Sequence, residues 1–175
     1  MRASFQNISA KKLLKDFISR KLSRYREGRN EPADEICSHM SPYLHFGHIS
    51  PLTVALAVKS ARGVPGEARE AFLEELIVRR ELAHNFVYYN RKYDSYLCLP
   101  PWARETLEEH ATDRRPHEYT LDTLEHAETH DALWNAAQNQ LRFEGRIHNY
   151  LRMLWGKKIL EWSESPRDAL EAMIQ

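Results

Sequence analysis

Apolar residues recur along this chain at helical spacing, and no stretch alternates apolar with polar residues between turn signals as a half-buried strand requires. That pattern restricts the fold to helices packing on helices. The first run puts Leu14, Phe17, Ile18, Leu22 and Tyr25 on one stripe. It ends near Gly28 after a basic last turn, which suits the negative end of a helix dipole. Ser41-Pro42, Ser50-Pro51 and Ser165-Pro166 each place a capping hydroxyl before a proline suited to the first helical position. A long helix is predicted between Glu67 and Asn90. Its apolar arc of Phe72, Leu73, Leu76, Ile77, Ala83, Phe86 and Val87 is wide enough to imply burial on more than one side. Pro100-Pro101 breaks the chain, and helices are predicted around 102–111, 121–128, 131–143 and 145–162. No repeat, low-complexity tract or flexible linker interrupts it, so the expectation is one all-α domain over 1–175.

Charge and cysteine usage narrow the function classes. Twenty-five basic residues balance 25 acidic ones. Net electrostatics therefore neither favours nor excludes a polyanionic partner, and DNA binding must rest on where the cations lie. No run of 18 apolar residues offers a membrane span, and Met1 to Gln6 contain no signal-peptide core. The expected setting is cytoplasmic, or nucleoid-associated in a prokaryote, for a monomer. Cys37 and Cys98 lie 61 positions apart in no metal or disulfide framework, which reads as two reduced thiols. No nucleophile elbow, Walker loop or GxGxxG is present, so hydrolase, phosphate-loop and Rossmann readings lack their motifs.

Several constellations carry chemistry. The turn Cys37-Ser38-His39-Met40-Ser41-Pro42 leads into a helix whose free amides and positive dipole end suit a phosphate, although most Ser-Pro starts merely cap. Glu75 and Arg79, four apart, share a helical face with the acid N-terminal, as an ion pair prefers. A solvated surface pair is the plain reading; the apolar helix around it leaves room for a charge lining a cavity. Arg146, Asn149 and Met153 form a polar stripe ending in a soft thioether. Trp155 lies about 200° around that helix from Met153, and Trp162 follows on the Trp155 side about 10.5 Å further along the axis. Trp134 belongs to the helix before. As residues alone, these tryptophans read as core. His126 and His130, four apart, would share one face of a helix without a third metal ligand, and a solvated face is the favoured reading over a metal site.

Three strings in register, Ser41 to Gly47 (SPYLHFG), Phe72 to Asn85 (FLEELIVRRELAHN) and Gly145 to Trp162 (GRIHNYLRMLWGKKILEW), resemble the photolyase and cryptochrome superfamily. Within it they resemble the class II cyclobutane pyrimidine dimer DNA photolyases, over nearly the whole chain. The resemblance implies a helical domain holding U-shaped FAD in a pocket that opens on a basic, DNA-facing surface. It implies that Tyr25 and the turn Cys37, Ser38, His39, Met40 and Ser41 hold the FAD phosphates, with Arg79 against the cofactor. Glu75 would hydrogen-bond the flipped-out dimer, and Met153 would contact its bases with Asn149 nearby. Trp155, Trp134 and Trp162 would form the chain that reduces the flavin, with Tyr119 near its outer end. Arg80, Arg142, Arg146, Arg152, Lys157 and Lys158 would meet phosphates of UV-damaged DNA, which would make binding salt-sensitive. Arg152 is expected to be an internal ion pair instead.

The family also carries an N-terminal α/β antenna domain, and a C-terminal segment that completes the flavin pocket. Both are expected to lie outside these 175 residues, so weak FAD retention by this chain alone is expected. Cys37 and His39 depart from the family pattern, which assigns the phosphate contacts of that turn mainly to backbone. A cryptochrome-like flavin photoreceptor, or a cofactor-free helical module docking on DNA or protein, are the competing readings.

Overall fold

The computed structural model describes residues 10–175, so the signal-peptide reading of Met1 to Gln6 lies outside the described residues. Every regular element among the described residues is helical, with no strand. The chain divides into two compact units, one running to Tyr88 and the other from Tyr89 to Gln175, although no linker composition in the sequence announces the division.

In the first unit, α1 (Ala10–Arg20) buries Ala10, Leu14 and Phe17, as the amphipathic stripe requires. The predicted single helix is then broken. A 3₁₀ turn (Leu22–Arg24) intervenes before α2 (Tyr25–Gly28). Gly28 is the last residue of α2, and a Cβ there would stand 2.7 Å from Ile36 Cγ1. A second 3₁₀ turn (Pro32–Asp34), α3 (Ser41–His45) and α4 (Pro51–Lys59) follow. Ser50 caps α4 through its hydroxyl, which accepts from the Leu52 amide at 3.2 Å. Ser41 does not cap α3, contrary to expectation. It is the first residue of that helix, preceded by Met40, and the hydroxyl of Ser38 accepts from the Met40 amide instead.

The long helix predicted from Glu67 to Asn90 is α5 (Gly66–Leu73), a π-helical stretch (Glu74–Arg79) and α6 (Arg80–Tyr89). Phe72 and Leu76 sink into a core with Phe17, Leu22, Tyr25, Met40, Val54 and Val58. Phe72 lies 4.8 Å from the Phe17 ring and 5.2 Å from the Tyr25 ring. Leu73 packs half-buried against that core, but the rest of the predicted apolar arc is exposed. Ile77, Val78, Leu82, Phe86 and Val87 are 44–55% exposed. Core contact is confined to the stretch from Ala71 to Leu76, and the wider π turns rotate the following residues off that line.

The second unit holds a 3₁₀ turn (Tyr96–Cys98), α7 (Pro101–Glu109), α8 (Leu121–Glu125), α9 (Ala132–Glu144), α10 (Asn149–Trp162) and α11 (Pro166–Ile174). Asp131 caps α9 by accepting from the amides of Leu133 and Trp134, and Ser165 caps α11 by accepting from Asp168. α10 packs against both α9 and α11. Its core is Leu124, Trp134, Ile159, Trp162 and Ala169. The helix predicted from 145 starts four residues late. Gly145 takes a left-handed φ of 69° and closes α9, and the chain is extended until His148 accepts the Tyr150 amide at 3.3 Å.

Candidate functional site

The candidate residues fall into one group per unit. The first centres on Tyr25, buried where α2 meets α5. Its phenol is pushed up to about 12, chiefly by loss of water around it and next by the Glu75 carboxylate, against the opposing pull of Arg29. The Arg29 guanidinium stands 5.9 Å from the Tyr25 ring centroid and donates to Glu75 Oε1 at 2.7 Å. Glu75 is therefore not paired with Arg79 as its spacing suggests. Arg79 turns to Glu74, five residues back, at 3.3 Å. The cause is the π turn, whose i→i+5 ladder brings residues five apart onto one face and frees Glu75 to reach across to Arg29.

The turn from Cys37 to Ser41 lies beside this group, since Cys37 Sγ sits 4.0 Å from the Arg29 carbonyl oxygen. Burial pushes the Cys37 thiol above its ordinary value, so it stays a neutral thiol at pH 7. His39 adopts a left-handed φ of 54°, Met40 is buried, and the amide of Ser41 finds no acceptor among the described residues. An open amide at a helix start suits an anionic oxygen. Arg29 escaped the sequence reading, because it stands 46 positions from Glu75 and only the packing of α2 against α5 joins them.

The second group is aromatic. Trp134 and Trp162 are both 1% exposed, with ring centroids 5.5 Å apart at 70°. Tyr119 lies 5.5 Å from Trp162, edge to face, and its amide donates to the Trp162 carbonyl oxygen at 3.2 Å. Trp155 is half-buried on the same side of α10. Its Nε1 donates to Gln138 Oε1 at 2.8 Å, and its carbonyl oxygen accepts from Trp134 Nε1 at 3.1 Å. The structure thus joins Trp155, Trp134, Trp162 and Tyr119 by hydrogen bonds and ring contacts.

Met153 and Asn149 are exposed on the other side of α10. Arg146 does not share their stripe, because it precedes the helix and pairs with Glu144 at 2.9 Å. Arg80 pairs with Glu81 and Lys158 with Glu161, while Lys157 is exposed. Arg152, expected in an internal ion pair, is exposed and has none among the described residues. It lies in the first turn of α10, about 10.5 Å along the axis before Ile159, the first buried residue of that helix. His126 and His130 do not share a helical face either. α8 ends at Glu125 and Ala127 takes a φ of 58°, so His126 bonds the Asp122 carbonyl oxygen while His130 turns to Tyr119.

Superposition on solved structures places this helical arrangement in a known class. It matches a bacterial class III photolyase from Agrobacterium tumefaciens with a TM-score of 0.70, covering 94% of this chain and 36% of that one at 23% identity. That likeness defines the fold as photolyase-type. No family model matches the chain. Curated relatives named deoxyribodipyrimidine photo-lyase do. The protein of Methanothermobacter thermautotrophicus is 50% identical over 166 residues, 95% of this chain and 36% of the relative. Those of Oryza sativa and Potorous tridactylus are 48% and 46% identical over 90% and 93% of the chain, 31% and 30% of their own lengths. The chain belongs to the deoxyribodipyrimidine photo-lyase family and spans about a third of the length of these relatives.

Proposed function

We propose that this chain is the helical, FAD-binding part of a class II photolyase, which repairs cyclobutane pyrimidine dimers in UV-damaged DNA by light-driven electron transfer. The carrying observation is the connected aromatic series of Trp155, Trp134, Trp162 and Tyr119 in a chain about half identical to named photo-lyases. Support for the cofactor comes from the first unit. The open Ser41 amide and the left-handed turn at His39 fit an anionic phosphate. Tyr25 stays a neutral hydroxyl able to donate to one.

In this reading Glu75 acts as an acceptor for a pyrimidine imide N–H once the lesion has left the stack, and Arg29 holds its carboxylate in one orientation. Extruding a damaged base costs less than extruding a paired one, which favours the lesion. When bound, reduced flavin excited by blue light supplies the electron that opens the cyclobutane ring and recovers it afterwards. The series of indoles ending at Tyr119 would supply the electrons that reduce such a cofactor before repair, and exposed Lys157 and Arg152 would meet DNA phosphates.

The test is thymine-dimer repair by the protein carrying this chain, in light and in darkness. Repair is expected only in light, and Glu75→Ala should slow splitting by about tenfold to a hundredfold, the loss of one charge-assisted hydrogen bond, with flavin content unchanged. Trp155→Phe should stop photoreduction of the oxidised cofactor. Equal repair in darkness, or wild-type splitting by Glu75→Ala, overturns the reading.

A further inference from the structure

One cluster in the second unit is left over by that reading. The Tyr119 hydroxyl touches His130 twice: it lies 2.6 Å from the ring Nδ1, and it accepts the His130 amide at 3.1 Å. A phenol has a single proton. With the amide directed at one lone pair, that proton must point to the only ring nitrogen in reach, so neutral His130 carries its own hydrogen on Nε2. The ring is then fixed. His117 stacks on it at 3.9 Å, and Trp162 meets it at 5.3 Å. His130 is exposed while Trp162 is buried, so the pair forms a wet outer end on a dry aromatic series.

A phenol that loses an electron becomes a strong acid, and its oxidation requires a base at the oxygen. Indoles carry no such requirement on this timescale, because an indole radical cation holds its N–H proton far more tightly. We infer that His130 is the proton acceptor for oxidation of Tyr119, making the Tyr119–His130 pair a proton-coupled terminal electron donor to Trp162. The inference rests on the electron-transfer role proposed above for the tryptophans. In the step, Tyr119 passes one electron to the Trp162 indole radical cation, which returns to neutral indole. The phenol O–H bond breaks and its proton bonds to His130 Nδ1, leaving a neutral tyrosyl radical beside an imidazolium. A small-molecule thiolate in solution gives up one electron to become a thiyl radical, the tyrosyl radical becomes phenolate, and the Nδ1 proton returns to that oxygen. His130 acts through Tyr119 and is a positioning and proton-accepting residue for it.

The test oxidises tryptophan in two ways in the protein carrying this chain, by illumination of the oxidised flavin and, without flavin, by azide radicals. Radicals are followed by transient absorption and high-field electron paramagnetic resonance. Wild type should pass the radical from tryptophan to Tyr119, more slowly in deuterium oxide, and the tyrosyl signal should carry the g-shift of a hydrogen-bonded phenoxyl oxygen. Tyr119→Phe should abolish that signal and so identify it. His130→Phe should slow the transfer by about tenfold to a hundredfold, and added imidazole should restore part of the rate to His130→Ala. The native tautomer gives a reading that needs no variant: nitrogen-15 spectra above the histidine titration should show hydrogen on Nε2 and none on Nδ1. Wild-type transfer in His130→Phe, or hydrogen on Nδ1 in the native protein, overturns the inference. A protein that passes the radical under azide oxidation but holds no flavin would instead overturn the repair reading alone.

Discussion

Tyr25 makes the folded state sensitive to alkali in a narrow window. Its phenol is held at about 12 against an ordinary 10.0, chiefly by desolvation and next by Glu75. Below pH 10 the phenol is neutral in both the folded and unfolded chain, and the full contribution to stability is present. Between about pH 10 and 12 the unfolded chain gives up the proton and the folded chain keeps it. Stability then falls by about 1.4 kcal/mol per pH unit, reaching roughly 3 kcal/mol once the folded pKa is passed. The chain holds eight tyrosines, so the measurement must be a difference. Urea unfolding followed by circular dichroism from pH 9 to 12 should show the stability of wild type relative to Tyr25→Phe falling by roughly 3 kcal/mol, because the variant lacks this loss. Other titrating groups cancel in the comparison. Glu75→Gln should move the phenol back toward its ordinary value and shift the window down. If wild type and Tyr25→Phe lose stability with the same slope between pH 10 and 12, the desolvation argument fails.

Two packing predictions accompany it. Gly28→Ala drives a Cβ to 2.7 Å from Ile36 Cγ1 and should cost about 1–3 kcal/mol by overpacking. Adding Ile36→Ala should recover part of that cost as a favourable coupling in a double-mutant cycle, and simple additivity would remove the steric explanation. Phe72→Ala deletes a 4% exposed ring set against Phe17 and Tyr25 and should cost about 3–5 kcal/mol in urea unfolding. A loss below about 1 kcal/mol would mean the site collapses around the gap.

How much was legible in advance differs by residue. The helical class, the caps at Ser50 and Ser165 and the break after Pro100 are local properties, written in periodicity and punctuation, and the chain folds that way. The same-side placement of Trp155 and Trp162 is also local, because it follows from helix geometry alone. Family membership rested on matched strings, not on physics, and the relatives bear it out.

What the local pattern could not carry was anything decided by a partner far along the chain or by a change of helical pitch. Spacing paired Glu75 with Arg79, and a π turn undid it: a shift from i→i+4 to i→i+5 bonding leaves no mark in composition, yet it redirects Glu75 to Arg29. Spacing put His126 and His130 on one face, and a left-handed residue at Ala127 sent them apart, which is what allowed His130 to meet Tyr119. By itself, then, the sequence determined the helices, their caps and the spacing of its indoles, since those depend on neighbours within a few residues. Tertiary structure alone decided that Tyr25 would be dry, that Arg29 would hold Glu75, and that the Trp162 series would end at a phenol bonded to a histidine, because each depends on surfaces brought together only when helices pack.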